Sequence, residues 1–158
     1  MGEVDIVKLN EIYQFCNQFC RLMGLPFSFS EDTGKYETAV GIHESGFVER
    51  PLLDARWKDI KGKMNLFCPD VLDYHNKIII EFEETPGKPR HGAHLAKKGH
   101  DPDGLDKRTS NRDLYYGIAK FRVHKIFDYE FANPLAWKIK LADFLIKCWK
   151  NPVERLTA

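Results

Sequence analysis

Apolar residues recur at positions 6, 9, 13, 16, 20 and 23. This three-and-four spacing predicts an amphipathic helix over Ile6 to Met23, ended by Gly24 and Pro26. Glu11 lies on that helix away from the stripe, either exposed or projecting into a site. Between 27 and 50, short apolar groups such as Tyr36 to Val40 are interrupted by Ser, Gly, Asp and Glu. That pattern predicts irregular structure around one edge strand. LLDARWKDI, up to Ile60, fits a strand or a short helix, and the strand-rich segment directly after it favours the strand. Met64 to Asp73 reads as a strand leading into a hairpin. Ile78 to Glu84, IIIEFEE, reads as its return strand, with Ile78, Ile80 and Phe82 facing the core and Ile79, Glu81 and Glu83 the other side. Thr85-Pro86-Gly87 stops it.

The next regular element is expected near Ser110, with Thr109 or Ser110 as N-cap and Asp113 near the third helical position, running to about Ile118. Asp101-Pro102-Asp103-Gly104 is a turn signature, and His94 to Lys98 can form a turn of helix. Phe121 to Phe131 alternates Val123, Lys125, Phe127 and Tyr129 against Arg122, His124, Ile126 and Asp128, which predicts a strand. Asn133-Pro134 opens a last helix with Leu135, Ile139, Leu141, Leu145, Cys148 and Trp149 on its apolar side, closed by Pro152. The order of elements implies an α/β (α+β) domain, a central mixed sheet flanked by helices.

A hairpin turn centred on His75-Asn76 pairs Tyr74 with Lys77, Val71 with Ile80 and Asp70 with Glu81. Because side chains repeat every two residues, Glu83 shares the face of Glu81. Like charges directly opposite one another weaken a sheet by up to ~1 kcal/mol per pair. Such a cluster therefore needs a cation, raised pKa values or full solvation. Two readings stay open: a divalent-metal site, or a solvated edge with scattered acids. His75 falls in the turn with no chemical task.

At 158 residues, 43% hydrophobic and 13% aromatic, the composition suits one globular domain over 1–158. No segment approaches the ~20 apolar residues of a membrane span. MGEVDIVKLN lacks the basic start and apolar run of a secretory signal, so a soluble, cytoplasmic protein is expected. Cys16 and Cys20, one helical turn apart, read as buried thiols, and Cys68 and Cys148 supply no matching pair, so no zinc site is expected. Trp57, Trp137 and Trp149 read as core or interface residues.

Charge changes the picture by where it falls. Residues 1–84 hold 9 Lys and Arg against 15 Asp and Glu, whereas 85–125 hold 10 against 4. The stretch after the acidic hairpin thus turns strongly basic, and a connection of that length is commonly functional. A basic segment beside acidic metal ligands is what phosphodiester chemistry needs, because the polyanion must be drawn in despite the carboxylates. The plainer alternative is a solvated, lysine-rich loop.

Pro69-Asp70 followed by an apolar strand ending in Glu81-x-Glu83 resembles the PD-(D/E)XK nucleases. The downstream residues His91 and His94, Lys107, Asn111, Arg112-Asp113, and Gly117 leading into Phe121-Arg122-Val123 resemble, in order and rough spacing, the very short patch repair endonucleases of that superfamily. The likeness covers about residues 64 to 131. Two departures stand out: Glu83 occupies the place of the usual catalytic lysine, and no zinc-binding residues flank the site. The resemblance implies a restriction-endonuclease-like fold and a metal-dependent DNA endonuclease.

In that chemistry Asp70 and Glu81 suit Mg2+ or Mn2+, hard cations that keep several waters. Glu83 would hold the attacking water or bind a second ion. His91 and His94 are candidate general acids or bases, or else loop histidines with local hydrogen bonds. Asp113 joins the catalytic set only through the family pattern, against its competing role as a cap. Lys88, Arg90, Lys97, Lys98, Lys107, Arg108 and Arg112 would contact DNA phosphates. Many nucleases of this fold cut both strands as a homodimer. Two other functions remain: a nuclease-fold protein that binds nucleic acid without cutting, and a metal-dependent hydrolase of a smaller anion.

Overall fold

A computed structural model describes residues 3–50, 64–84 and 102–157. Helix α1 (Glu3–Met23) forms over the predicted stretch. Its buried stripe is Leu9, Ile12, Cys16 and Cys20, rotated from the predicted one so that Ile6 and Met23 are exposed. The described residues then form seven strands: β1 (Ser30–Glu31), β2 (Val40–His43), β3 (Val48–Glu49), β4 (Met64–Phe67), β5 (Val71–Asp73), β6 (Ile78–Glu83) and β7 (Arg122–Phe127). Helices α2 (Pro102–Ile118) and α3 (Pro134–Lys150) flank β7 in sequence.

The main sheet has the order β1-β5-β6-β7, with β6 and β7 parallel and the other pairs antiparallel. A second sheet runs β3-β2-β4. The hairpin register agrees with that read from the sequence: Val71 faces Ile80 and Leu72 faces Ile79. The mixed, helix-flanked sheet is the expected α+β arrangement.

Strand β6 carries three consecutive isoleucines because it is buried on both sides. Ile78 and Ile80 pack with Leu9 and Ile12 of α1 and Trp137, Leu141 and Leu145 of α3. Ile79, expected to point away from the core, instead lies in a second core with Val40, Ile42, Tyr116 and Ala119. An apolar run without alternation is what a two-sided strand requires. Helix α2 and the second sheet supply the cover that sequence periodicity does not reveal.

Several boundaries differ from expectation. Met64 to Asp73 is two strands in two different sheets, parted at Cys68-Pro69, where proline has no N–H to continue a ladder. The Thr38 hydroxyl, fully buried, donates to the Pro69 carbonyl at that break. Residues 27–50 form three short strands, and β2 is central in its sheet rather than an edge. Helix α2 begins at Pro102, not near Ser110. Pro102-Asp103-Gly104 of the expected turn is helix, because proline suits the first helical position and acids favour the first turn.

The strand expected over Phe121–Phe131 stops at Phe127 and gives way to a 3-10 turn, Asp128–Ala132. Asn133 caps α3 through its side chain, which accepts from the Ala136 N–H. Trp137, absent from the predicted stripe, is fully buried, while Leu135, Ile139 and Trp149 are exposed. Glu11 is exposed, 4.0 Å from Lys138 Nζ. No helix among the described residues is long and apolar enough to cross a membrane. LLDARWKDI, Trp57 and the His94–Lys98 turn lie outside the described residues.

Arg122 ties the open end of this assembly together. Its Nη1 donates to the carbonyls of Cys148 and Asn151 at 2.7 Å each, and its Nη2 to Asn76 O at 2.9 Å. The end of α3 is thereby joined to the hairpin turn, and a cation sits at the negative end of the helix dipole. Charge-assisted bonds of this kind contribute about 1.5–3 kcal/mol each when buried, less when exposed. Arg122→Met is expected to lose about 2–4 kcal/mol in urea unfolding; a change under about 0.5 kcal/mol would show that these ties carry no stability.

Candidate active site

Asp70 is held by three hydrogen bonds, two from backbone N–H groups and one to the Glu81 carboxylate. Its carbonyl accepts from Asp32 N at 2.9 Å, its own N–H donates to Glu81 Oε1 at 3.2 Å, and its carboxylate Oδ2 accepts from Phe82 N at 2.8 Å. The carboxylate is thus aimed along the outer end of β6, next to Glu81. Glu81 is 4% exposed. Both acids share the sheet face of Leu72 and Ile79, as the two-residue repeat requires.

Arg112 of α2 lies over this face. Its Nη1 donates to Glu81 Oε2 at 3.1 Å and its Nη2 to Glu83 Oε1 at 2.5 Å. Nε and Nη2 also reach Asp113 Oδ1, at 3.3 and 3.1 Å. The guanidinium stands 5.8 Å from the centre of the Tyr116 ring, one turn along the helix. Asp113 in turn accepts from Lys125 Nζ at 2.5 Å. A continuous chain of charge runs from Glu81 and Glu83 through Arg112 and Asp113 to Lys125.

This geometry amends two expectations. Asp113 is not a cap, since α2 starts eleven residues earlier at Pro102; it sits mid-helix and faces the sheet. Arg112, expected at DNA phosphates, is paired with carboxylates in the folded chain. Glu83 is spoken for by the same arginine. Lys107 and Arg108 fall within α2 rather than in a loop. Lys88, Arg90, His91, His94, Lys97 and Lys98 lie outside the described residues.

No family model, curated protein or solved structure matches the chain. The site is therefore read from its own chemistry.

Burial pushes the Asp70 carboxyl up to about 6, against the Phe82 N–H and Arg112, which favour its charged form. Burial, and then the neighbouring Asp70 charge, push Glu81 well above the usual carboxylate range despite Arg112. The pair resists carrying two negative charges unaided. Arg112 is also desolvated, but Glu81 and Glu83 outweigh that and hold its proton more firmly than usual. Four carboxylates, Asp70, Glu81, Glu83 and Asp113, face two cations, Arg112 and Lys125, leaving a formal excess of two negative charges among these residues. Asp32 adds a further acid beside Asp70.

Among the described residues, no group of three or more His, Cys, Asp and Glu side chains is arranged to hold a metal ion. Two adjacent carboxylates are nevertheless a donor set that suits Mg2+, which takes one or two carboxylates and fills its remaining positions with water and substrate oxygens. The Tyr116 hydroxyl supports a hydrated site. It is buried, has no hydrogen-bond partner among the described residues, and lies in the field of Glu81 and Asp70. A buried orphan hydroxyl is the kind of group that ordered water satisfies.

Two members of this arrangement escape sequence reading. Lys125 shows only as one position in the alternation of β7. Its proximity to Glu81 follows from the parallel β6–β7 register, which pairs the two residues directly. Tyr116 looks like ordinary core until α2 is laid against β6. Neither has a local signal, because both depend on contacts between segments far apart in the chain.

The Asp70 shift has a thermodynamic consequence. An unfolded aspartate titrates near ~3.9, so between about pH 4 and pH 6 the folded chain binds more protons than the unfolded one. Stability then falls as pH rises through that window and stays lower above it. Asp70→Asn keeps an oxygen for the Phe82 N–H and removes the charge. It is expected to exceed wild type by about 1–3 kcal/mol at pH 7.5 without metal, the difference closing toward pH 4. Urea titrations at the two pH values measure this; a less stable asparagine variant at pH 7.5 would refute the strained-carboxylate account.

Proposed function

We propose that this protein is a metal-dependent endonuclease that hydrolyses phosphodiester bonds in DNA, in a PD-(D/E)XK-like site. The observation that carries the reading is the Asp70–Glu81 pair: two carboxylates brought together by the hairpin register, Glu81 buried and Asp70 half-buried, reluctant to ionise together, and bordered by Arg112 and Lys125. Asp70 and Glu81 are the residues that would hold Mg2+ or Mn2+. When bound, such an ion lowers the pKa of a bound water and neutralises charge developing on the phosphate. The protein's own groups do the rest. The Phe82 and Asp32 N–H groups fix Asp70 in place, and the sheet and α2 keep bulk water from Glu81. Arg112 screens the carboxylates from one another until a polyanion approaches.

The basic composition of stretch 85–125 suits the partner, since cationic residues that follow the acidic hairpin in sequence would offset the repulsion between DNA and the carboxylates. His91 and His94 remain candidates for proton transfer in this reading, and Glu83 one for water placement. All four cysteines are free thiols, in keeping with a reducing, cytoplasmic compartment. A homodimer would let two such sites cut both strands. One observation favours a second reading, binding without cutting: Arg112 already occupies the carboxylates' hydrogen-bonding capacity where a nuclease of this type carries a lysine at position 83.

Supercoiled plasmid separates the two. The wild type is expected to nick it with Mg2+ or Mn2+ and not with EDTA. Asp70→Ala and Glu81→Ala should lose at least about a hundredfold in rate while keeping DNA affinity that weakens as salt rises. Undiminished cutting by Asp70→Ala would sink the metal-site reading, and metal-independent DNA binding without nicking would leave the binding protein.

A further inference from the structure

Lys125 stands where this site has chemical need of a cation. Strands β6 and β7 run parallel with Glu81 directly opposite Lys125, and residues paired across strands project from the same face. Adjacent strands lie about 4.8 Å apart, whereas residues two apart along one strand are separated by about 6.6 Å. The Lys125 backbone is therefore nearer to Glu81 than position 83 is, on the same side of the sheet. Val123, two residues before Lys125, packs in the core beneath α2, in agreement with that face.

The ammonium is also equipped for the task. It has three N–H donors, of which Asp113 Oδ2 takes one at 2.5 Å. Its side chain is 30% exposed, so a substrate can approach it, whereas Arg112 is 20% exposed and committed to three carboxylates. Asp113, itself braced by Arg112, fixes the direction of the lysine.

We propose that Lys125 is a catalytic residue of this site: its ammonium, held by Asp113 from α2, contacts the reacting phosphate and stabilises the charge that builds there, from the neighbouring strand rather than from position 83. The proposal rests on the endonuclease reading above. In the reaction a water oxygen bonds to phosphorus as the bond to the leaving oxygen breaks. One water proton ends on the leaving oxygen and the other passes to solvent. Lys125 remains an ammonium throughout and exchanges no proton. Asp113 is a positioning residue, acting through the lysine.

The test uses the full chain with Mg2+ on plasmid DNA and compares wild type, Lys125→Met, Lys125→Arg, Asp113→Asn and Asp70→Ala. Lys125→Met keeps the apolar stem, so folding is checked by melting temperature. Its kcat should fall about 10²- to 10³-fold, the loss seen when one preorganised donor is removed. KM and Mn2+ affinity, the latter read by isothermal titration without DNA, should stay within about threefold. Arginine should recover at least about tenfold of the lost rate, and Asp113→Asn should lose less than Lys125→Met. If Lys125→Met cuts like wild type while Asp70→Ala is inactive, the lysine proposal fails and the endonuclease reading stands. A loss that tracks the melting temperature and is not recovered by arginine makes Lys125 structural and also overturns it. A wild-type protein that does not cut overturns both.

Discussion

Glu81 is a carboxylate with almost no exposure, placed on the third of four strands and next to a second acid, Asp70. Burying an isolated charge is very costly unless it is paired and hydrogen-bonded. The surroundings answer to that constraint. Arg112 must come from α2 to meet Glu81 and Glu83, Asp113 must accept from the other edge of the same guanidinium, and Lys125 must balance Asp113 from β7. Helix, central strand and edge strand are joined by electrostatics over a face that apolar packing alone would leave unspecified. The opposite face of β6 needs no such device, because Ile78 and Ile80 meet α1 and α3 in an apolar core.

Two mutually repelling carboxylates, one buried and one half-buried, favour positive charge nearby. In the folded chain Arg112 supplies part of it, and the orphaned Tyr116 hydroxyl marks a place where water is wanted. Replacing such a network by apolar groups is often neutral or stabilising, so its contribution to stability is small for the number of charges it holds together. The elements that contribute to it are also those that differ most from regular expectation. The chain breaks at Pro69 between two sheets to present Asp70, and α2 extends a further two turns toward its N-terminus before reaching Arg112.

The hairpin is legible in the sequence because its information is local. The turn at His75-Asn76 sets the register, and the register alone makes Asp70 and Glu81 neighbours. Helix α1 and the Asn133-Pro134 start of α3 are legible for the same reason, through periodicity and capping. The stretches that mislead are those where two local rules compete. Asp-Pro-Asp-Gly signals a turn or a helix start, and packing of α2 on the sheet favours the helix. The isoleucine run reads as buried on one side because the second cover, from β2 and α2, lies far away in sequence. Leu135 and Ile139 look like core in the pattern of α3, but the face that meets the sheet is set by Trp137 and Leu141.

By itself the sequence determined the first and last helices, the hairpin register and the concentration of acid on one face of β6, since each depends on residues within a helix, a turn or a strand pair. Only the tertiary structure decided which cations meet those acids. Arg112 and Lys125 lie 31 and 44 residues downstream of Glu81 in the chain, and their approach depends on α2 packing and on a parallel register that no local pattern encodes. The acids could be read as a candidate site from spacing. The charge network that holds them, and the lysine on the neighbouring strand, exist only once the helix and sheet are folded against each other.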